Sequence, residues 1–266
     1  MRDGIYHPPH RTASPFQSPP LTPLTLEGIT KSSVLSRAVA EEIRLLVPPR
    51  LQLADTWRLG YSLEEDGVSL ATLYGKCASP KVARGSGFVL VVQDGTGGIF
   101  GAYLTDPPKP HSSFYGTGEC FLWRASILPS SSLLSNLPPP PSALDTEGMG
   151  RSTTISSPHA TSYPALLLSP KSATNGHDRT AEPSGTATPD SIRFKAFPYS
   201  GVNDYLIFCQ QDFLSVGGGD GKYGLWLDVV LERGVSSHCM TFGNEGLSEE
   251  GEKFEVVGVE VWCVGG

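Results

Sequence analysis

Basic runs are missing from this sequence, and so is any apolar stretch of the about 20 residues that a membrane-crossing helix needs. With 20 Lys and Arg against 27 Asp and Glu, and a formal net charge of -7, it lacks the clustered cations that grip a nucleic-acid backbone. Its N-terminus has no apolar core segment of the kind a secretory signal carries. These absences predict a soluble chain that neither crosses a bilayer nor binds nucleic acid. Cysteine is sparse. Cys77, Cys120, Cys209, Cys239 and Cys263 are odd in number and never spaced as C-x-x-C. That pattern fits reduced thiols in an intracellular compartment better than a disulfide framework. Most of the five sit among apolar strand residues and read as packing side chains. Cys239, beside His238 in a polar loop, is the exception.

Sites for chemistry are as scarce as the cysteines. His7, His10, His159 and His177 fall in segments predicted to be disordered, and neither His111 nor His238 has a neighbour at metal-ligand spacing. No G-x-S-x-G elbow is present. Gly219-x-Gly221-x-x-Gly224 matches the dinucleotide fingerprint by letter. That fingerprint works only where a helix follows, so that N-terminal amides face the pyrophosphate. Here Leu225-Trp226-Leu227-Asp228-Val229-Val230-Leu231 follows, β-branched and aromatic, with no helical period. The P-loop pattern fails too, because Val216 stands where its first glycine belongs and Tyr223 where its hydroxyl belongs. No cofactor is implied. Glycines that let two backbones approach, or that turn a strand sharply, explain the run better. Glu119, entering a strand after Gly116 and Gly118, has no second carboxylate spaced for acid-base work. It reads as an acceptor for loop amides. Phe242-Gly243-Asn244 reads as a turn.

What the chain does have is a clear division of composition. Residues 1–31 carry Pro8, Pro9, Pro15, Pro19, Pro20 and Pro23, which forbid a continuous helix, and they read as a disordered tail. The same prolines weaken any amphipathic transit helix, although Arg2, Arg11 and several hydroxyls are present. Ser32 or Ser33 is placed to cap a helix reaching about Val47, with Leu35, Val39, Ile43 and Leu46 on one stripe. Pro48-Pro49 ends it. Trp57 to Ser62 alternates as a half-buried strand. Ser69 to Tyr74 starts a short helix with Leu70, Leu73, Tyr74 and Cys77 on one face. Gly87 to Val92 reads as a strand buried on both sides, and Asp94-Gly95-Thr96-Gly97-Gly98 turns it into Ile99 to Leu104. Glu119 to Arg124 is a further strand.

From about Pro129 to Ser191 the composition collapses into Ser, Pro, Thr and Gly. Such a stretch cannot bury enough apolar surface to offset the entropy of ordering. It reads as a disordered insertion within one domain spanning 32–266, because strands resume beyond it. Ser157, Ser169 and Thr188, each before a proline, are candidate phosphorylation sites there. Tyr205 to Phe208, Tyr223 to Leu231 and Lys253 to Val264 supply the later strands. In the last, Val257, Val259, Val261 and Cys263 alternate against Gly258, Glu260 and Trp262. The fold class predicted is α+β: mainly an antiparallel two-sheet β-sandwich flanked by a few helices.

Several segments in order carry a family resemblance: Trp57-Arg58-Leu59-x-Tyr61-Ser62, Gly67-x-Ser69-Leu70-x-Thr72-Leu73-Tyr74, Phe114 to Leu122, Asn203-Asp204-Tyr205, Gly217 to Asp228, Thr241 to Asn244, and Val259 to Trp262. Together they resemble the TLDc domain. The resemblance spans residues 32–266 apart from the insertion. It implies a β-sandwich with flanking helices and a role in protection from oxidative damage. It also implies protein partners, among them the vacuolar-type proton pump, and no accepted active site, so that no catalytic residue, metal or cofactor is carried over. The motif residues taken as structural or partner-binding are Gly116, Gly118, Glu119, Asp204, Gly217, Gly218, Gly219, Trp226, Asp228, Phe242, Gly243 and Asn244. A monomer is expected. So is a mitochondrial location, with the cytosol or vacuolar membrane surface as the alternative. The competing function is a thiol-based antioxidant enzyme using Cys239, with Arg233 and His238 as the nearby groups to lower its pKa.

Overall fold

The structure is a computed structural model that describes residues 21–29, 32–78, 86–128 and 191–265. In chain order its elements begin with β1 (Thr25–Glu27), α1 (Arg37–Arg44), α2 (Pro49–Gln52), β2 (Thr56–Ser62), α3 (Leu63–Asp66) and α4 (Leu70–Cys77). Then come β3 (Gly87–Asp94), β4 (Ile99–Leu104), β5 (Phe121–Leu128), β6 (Ser191–Pro198) and β7 (Ile207–Cys209). The last are β8 (Phe213–Gly219), β9 (Lys222–Asp228), β10 (Arg233–Val235) and β11 (Lys253–Val264). They belong to one compact unit assembled from both sides of the segment 129–191. The disorder and phosphorylation expected within 129–190 lie outside the described residues.

Two antiparallel sheets share β11. One runs β6-β5-β4-β3-β11-β2, with β1 added in parallel to the edge of β2. The other runs from the start of β11 through β10, β9 and β8 to β7. Lys253 to Glu255 pair with β10, and the rest of β11 pairs with β3. The switch comes at a register shift between Val256 and Gly258. A bulge there adds one residue and re-aims every side chain beyond it. That corrects the alternation expected from sequence. Val257 is 56% exposed, whereas Val259, Val261 and Cys263 are buried.

The alternation of β3 explains the layering. Phe88, Leu90 and Val92 point between the sheets, where they meet Leu214, Val216, Leu225 and Leu227. Val89 and Val91 point the other way, into a second core with Trp123, Trp262 and residues of α1. Both faces of the first sheet are therefore buried, as the continuous apolar run predicts. α4 adds Leu70, Leu73, Tyr74 and Cys77 to the inter-sheet core, the face read from sequence. Ser69 caps it by accepting from Thr72 N–H.

α1 is shorter than expected. Ser36, not Ser32 or Ser33, caps it, accepting from Val39 N–H at 3.3 Å. The amides of Val34 and Leu35 are taken by the Glu260 carboxylate instead, at 2.7 and 3.1 Å. Those bonds fasten the segment before Ser36 to β11, and the helix begins only after it. After Ile43 the chain tightens through Leu46 N–H donating to Ile43 O. This puts Leu46 out of phase with the stripe: it is 48% exposed, while Val47 is buried. Val39 and Ile43 remain fully buried, each contributing about 1.5–3 kcal/mol.

The tail expected over 1–31 is also corrected in its last part. Leu24 is buried, and its N–H donates to Glu41 Oε1 at 2.6 Å. The buried Arg44 guanidinium reaches Thr22 O at 2.6 Å and Gln52 O at 2.8 Å. Proline forbids a helix in this segment but not a short edge strand, and β1 is that strand. Residues 1–20 lie outside the described residues.

Candidate functional site

The glycine run lies at the tip of the β8–β9 hairpin. Gly219 pairs with Lys222, so Asp220 and Gly221 form a two-residue turn. Their φ values are 53° and 72°. Two positive values in sequence define the turn whose twist suits a hairpin, and Asp-Gly is among its preferred pairs. That Asp-Gly pair between alternating segments is the signal by which sequence could have located the hairpin.

Behind the tip, glycine is required by crowding. A Cβ on Gly217, whose φ is 77°, would sit 2.7 Å from the Phe242 ring and 2.8 Å from Cys239 Sγ. One on Gly224 would meet Leu122, Cys239 Sγ and the Val216 carbonyl within 3.0 Å. The loop from Cys239 to Asn244 thus lies directly on the two strands. Thr241 Oγ1 accepts from Gly218 N–H at 3.0 Å and gives its single proton to Asn203 Oδ1 at 2.7 Å. Asn203 Oδ1 in turn accepts from Tyr205 N–H. Asn244 is fully buried. Its amide donates to the Ser237 and Glu245 carbonyls, and its oxygen accepts from Cys239 N–H and Sγ–H.

A third loop completes the cluster. Tyr115 bridges Ile207, and the Phe114 ring stacks on Tyr205 at 4.6 Å. Gly116, with φ at 98°, lies against Ile207 and Cys120, and Gly118 lies against the Tyr199 ring. Tyr199 donates to Asp204 Oδ1 at 2.6 Å. That bond, with the neighbouring carboxylate charge, pushes the Tyr199 phenol up. So the fold brings together Gly116, Gly118, Asp204, Gly217, Gly218, Gly219, Phe242, Gly243 and Asn244. Glu119 is exposed beside them, and its N–H donates to Thr117 Oγ1. Two motif residues lie apart. Trp226 packs against Phe213. Asp228, at the far end of β9, accepts from Glu232 and Arg233 N–H and closes the turn into β10. Asn203, Thr241 and Gly224, which lie within the motif segments, and Tyr199, which lies outside them, also tie the cluster together. Sequence assigns them no role in it, because Asn203 meets Thr241, Gly224 meets Cys239 and Tyr199 meets Gly118 only in the fold.

Cys239 does not fit thiolate chemistry. It is 1% exposed, and burial pushes its thiol up. Its Sγ–H points at Asn244 Oδ1, while His238 Nδ1 donates to Asn244 O at 2.8 Å, so the two side chains do not pair. All five cysteines are free and buried. Desolvation also raises Cys77, Cys120 and Cys209, and takes Cys263 from 9.0 to about 11. Nor do the described residues hold any group of three or more His, Cys, Asp and Glu side chains placed for a metal ion. No helix among them is long and apolar enough to cross a membrane.

These thiols give a testable pH dependence. Above pH 9 the unfolded chain loses thiol protons that the folded chain keeps, so unfolding releases protons and stability falls as pH rises. We expect the thermal midpoint to drop steadily between pH 9 and 11. At pH 8 the native thiols should resist a disulfide reagent that titrates all five after denaturation. A rapidly titrating native thiol would contradict the burial described.

The comparisons with known proteins follow the same residues. A family model for the TLDc domain matches residues 28–133 and 186–265, leaving out most of the Ser/Pro-rich segment. The chain is 51% identical over 296 aligned positions to "Oxidation resistance protein 1" of Neurospora crassa, covering 99% of this chain and 74% of that one. It is 55% identical over 232 positions to the Aspergillus fumigatus protein of that name, covering 79% and 70%. With the Saccharomyces cerevisiae protein of that name the identity is 38% over 251 positions, covering 92% and 79%. With the sandwich and the motif cluster in place, the chain belongs to the TLDc domain family.

Proposed function

We propose that this chain protects against oxidative damage without catalysing a reaction itself, by binding protein partners, and that the vacuolar-type proton pump is one of them. The observation that carries this reading is the burial of every thiol beside a motif cluster whose polar atoms satisfy one another. Peroxide chemistry needs an exposed thiolate of lowered pKa, and burial works in the opposite direction. Relatives bearing the name oxidation resistance over nearly the whole chain supply the link to oxidants. We also propose a mitochondrial location, to be read from a fluorescent C-terminal fusion.

The test joins two measurements. In oxidant-sensitive cells lacking their own TLDc protein, the chain and its Cys239→Ser variant should restore growth on peroxide equally. Affinity capture from the same cells should recover pump subunits. If Cys239→Ser abolishes rescue, and the purified wild type consumes peroxide at a rate that the variant loses, the non-enzymatic reading is wrong. If rescue persists and no pump subunit is captured, the pump assignment is wrong.

A further inference from the structure

The outer face of the second sheet carries a continuous row of aromatic rings. Tyr205 stacks on Phe114 at 4.6 Å, Phe114 meets Phe208 at 4.8 Å, Phe208 meets Phe213 at 5.5 Å, and Phe213 meets Trp226 at 6.3 Å. Helices bury the outer face of the first sheet, whereas this row is built from strand and loop side chains. None of its rings is fully buried, and Tyr205 is 45% exposed. In contrast, Trp57, Trp123 and Trp262 are completely buried. From Trp226 the face continues into a cleft of about 820 Å³ that includes Val235, Glu250, Lys253 and Glu255.

A row of π faces can stack nucleic-acid bases or receive cations, and charge decides between these. Asp204 precedes Tyr205, Asp212 precedes Phe213, and Asp228 stands opposite Phe213 across the strand pair. Of the cations near the row, Lys222 begins β9 at the hairpin end, whereas Arg233 and Lys253 share the cleft beyond Trp226 with three carboxylates, Glu232, Glu250 and Glu255, and Arg233 is paired in register with Glu255. A phosphate backbone would meet carboxylates along the rings, in a chain whose net charge is already -7. A guanidinium would gain a ring face and a nearby carboxylate at once.

We propose that this row is a docking face for an extended, arginine-rich segment of a protein partner. The four centroid steps allow a path of about 20 Å, on the order of six extended residues. Alternate side chains of such a segment face one way, so three alternating arginines, about 6.6 Å apart, would reach along the row of five rings. The proposal rests on the reading of the chain as a binding module and adds the chemistry of its partner.

The probe is a fluorescein-labelled peptide of four Arg-Gly repeats, titrated into the purified full chain and followed by anisotropy. We expect saturable binding that weakens with salt and is lost about tenfold in Trp226→Ala and in Asp212→Lys. Trp226→Phe should restore most of it. Glu42→Lys, an exposed carboxylate on α1, should leave it unchanged and so exclude general attraction to an acidic chain. Equal binding by wild type, Trp226→Ala and Asp212→Lys would overturn the proposal. So would capture of a Glu-Gly peptide, oligothymidylate or phosphatidylserine vesicles in place of the basic peptide. Because purified chain and synthetic peptide are used, failure here is distinguishable from failure to rescue cells or to capture the pump.

Discussion

Replacing Glu260 with alanine is expected to lower stability by on the order of 3–5 kcal/mol, read as a fall in the denaturant midpoint. The carboxylate is 1% exposed. It accepts from Val34 N–H at 2.7 Å, Leu35 N–H at 3.1 Å, Ser33 Oγ–H at 3.1 Å and Trp262 Nε1–H at 2.8 Å. A buried donor left unpaired costs about 1–3 kcal/mol, and alanine strands several at once. The loss is local in origin, since these bonds fasten the segment before α1 onto β11. Hydrogen exchange at Val34, Leu35 and through α1 should therefore quicken more than exchange in β8 and β9. Glu260→Gln keeps an acceptor oxygen and should cost clearly less. A change below about 1 kcal/mol for the alanine variant would show that these bonds do not hold the layer.

Gly217→Ala is expected to cost on the order of 2–5 kcal/mol. The left-handed backbone at Gly217 adds about 1–2 kcal/mol of strain for any residue with a Cβ. The new methyl must also displace the Phe242 ring and Cys239 Sγ from 2.7 and 2.8 Å, and such overpacking adds about 1–3 kcal/mol. Gly221→Ala separates the two causes. Its φ is 72°, but no atom lies within 4 Å of the added Cβ, so only the backbone strain remains. If the two variants lose the same stability, crowding by the Cys239–Asn244 loop is not the reason for glycine at 217. Because whole domains are stable by only about 5–15 kcal/mol, partner capture by Gly217→Ala should be measured well below its midpoint.

Local pattern carried much of the fold. The apolar run in β3, the four buried positions of α4 and the Asp94–Gly98 turn follow from side-chain period and turn chemistry, which depend on near neighbours. The α1 boundary did not follow, because Glu260, more than 200 residues away, fastens Val34 and Leu35 to β11, and the cap falls to Ser36. Val257 likewise reads as a core residue until the bulge beside it re-aims the strand. β6, β8 and β10 were missed for a related reason. β8 and β10 are glycine-rich or short, and pairing with neighbouring strands makes them regular. β6 does alternate Ile192, Phe194 and Ala196 against Arg193 and Lys195, but its period begins at the very edge of the Ser/Pro-rich segment.

The candidate site divides in the same way. Sequence by itself determined that the glycine run is no phosphate cradle, since a strand follows where a helix would be needed. It also determined the TLDc motifs and their order. Tertiary structure alone decided that Cys239 is sealed beneath Asn244, Phe242 and two glycines, that Asn203 and Thr241 lock two loops onto β8, and that five rings from strands and loops meet in one row. Period and spacing describe one segment at a time, whereas burial, thiol pKa and ring contact are set by segments brought together from distant parts of the chain.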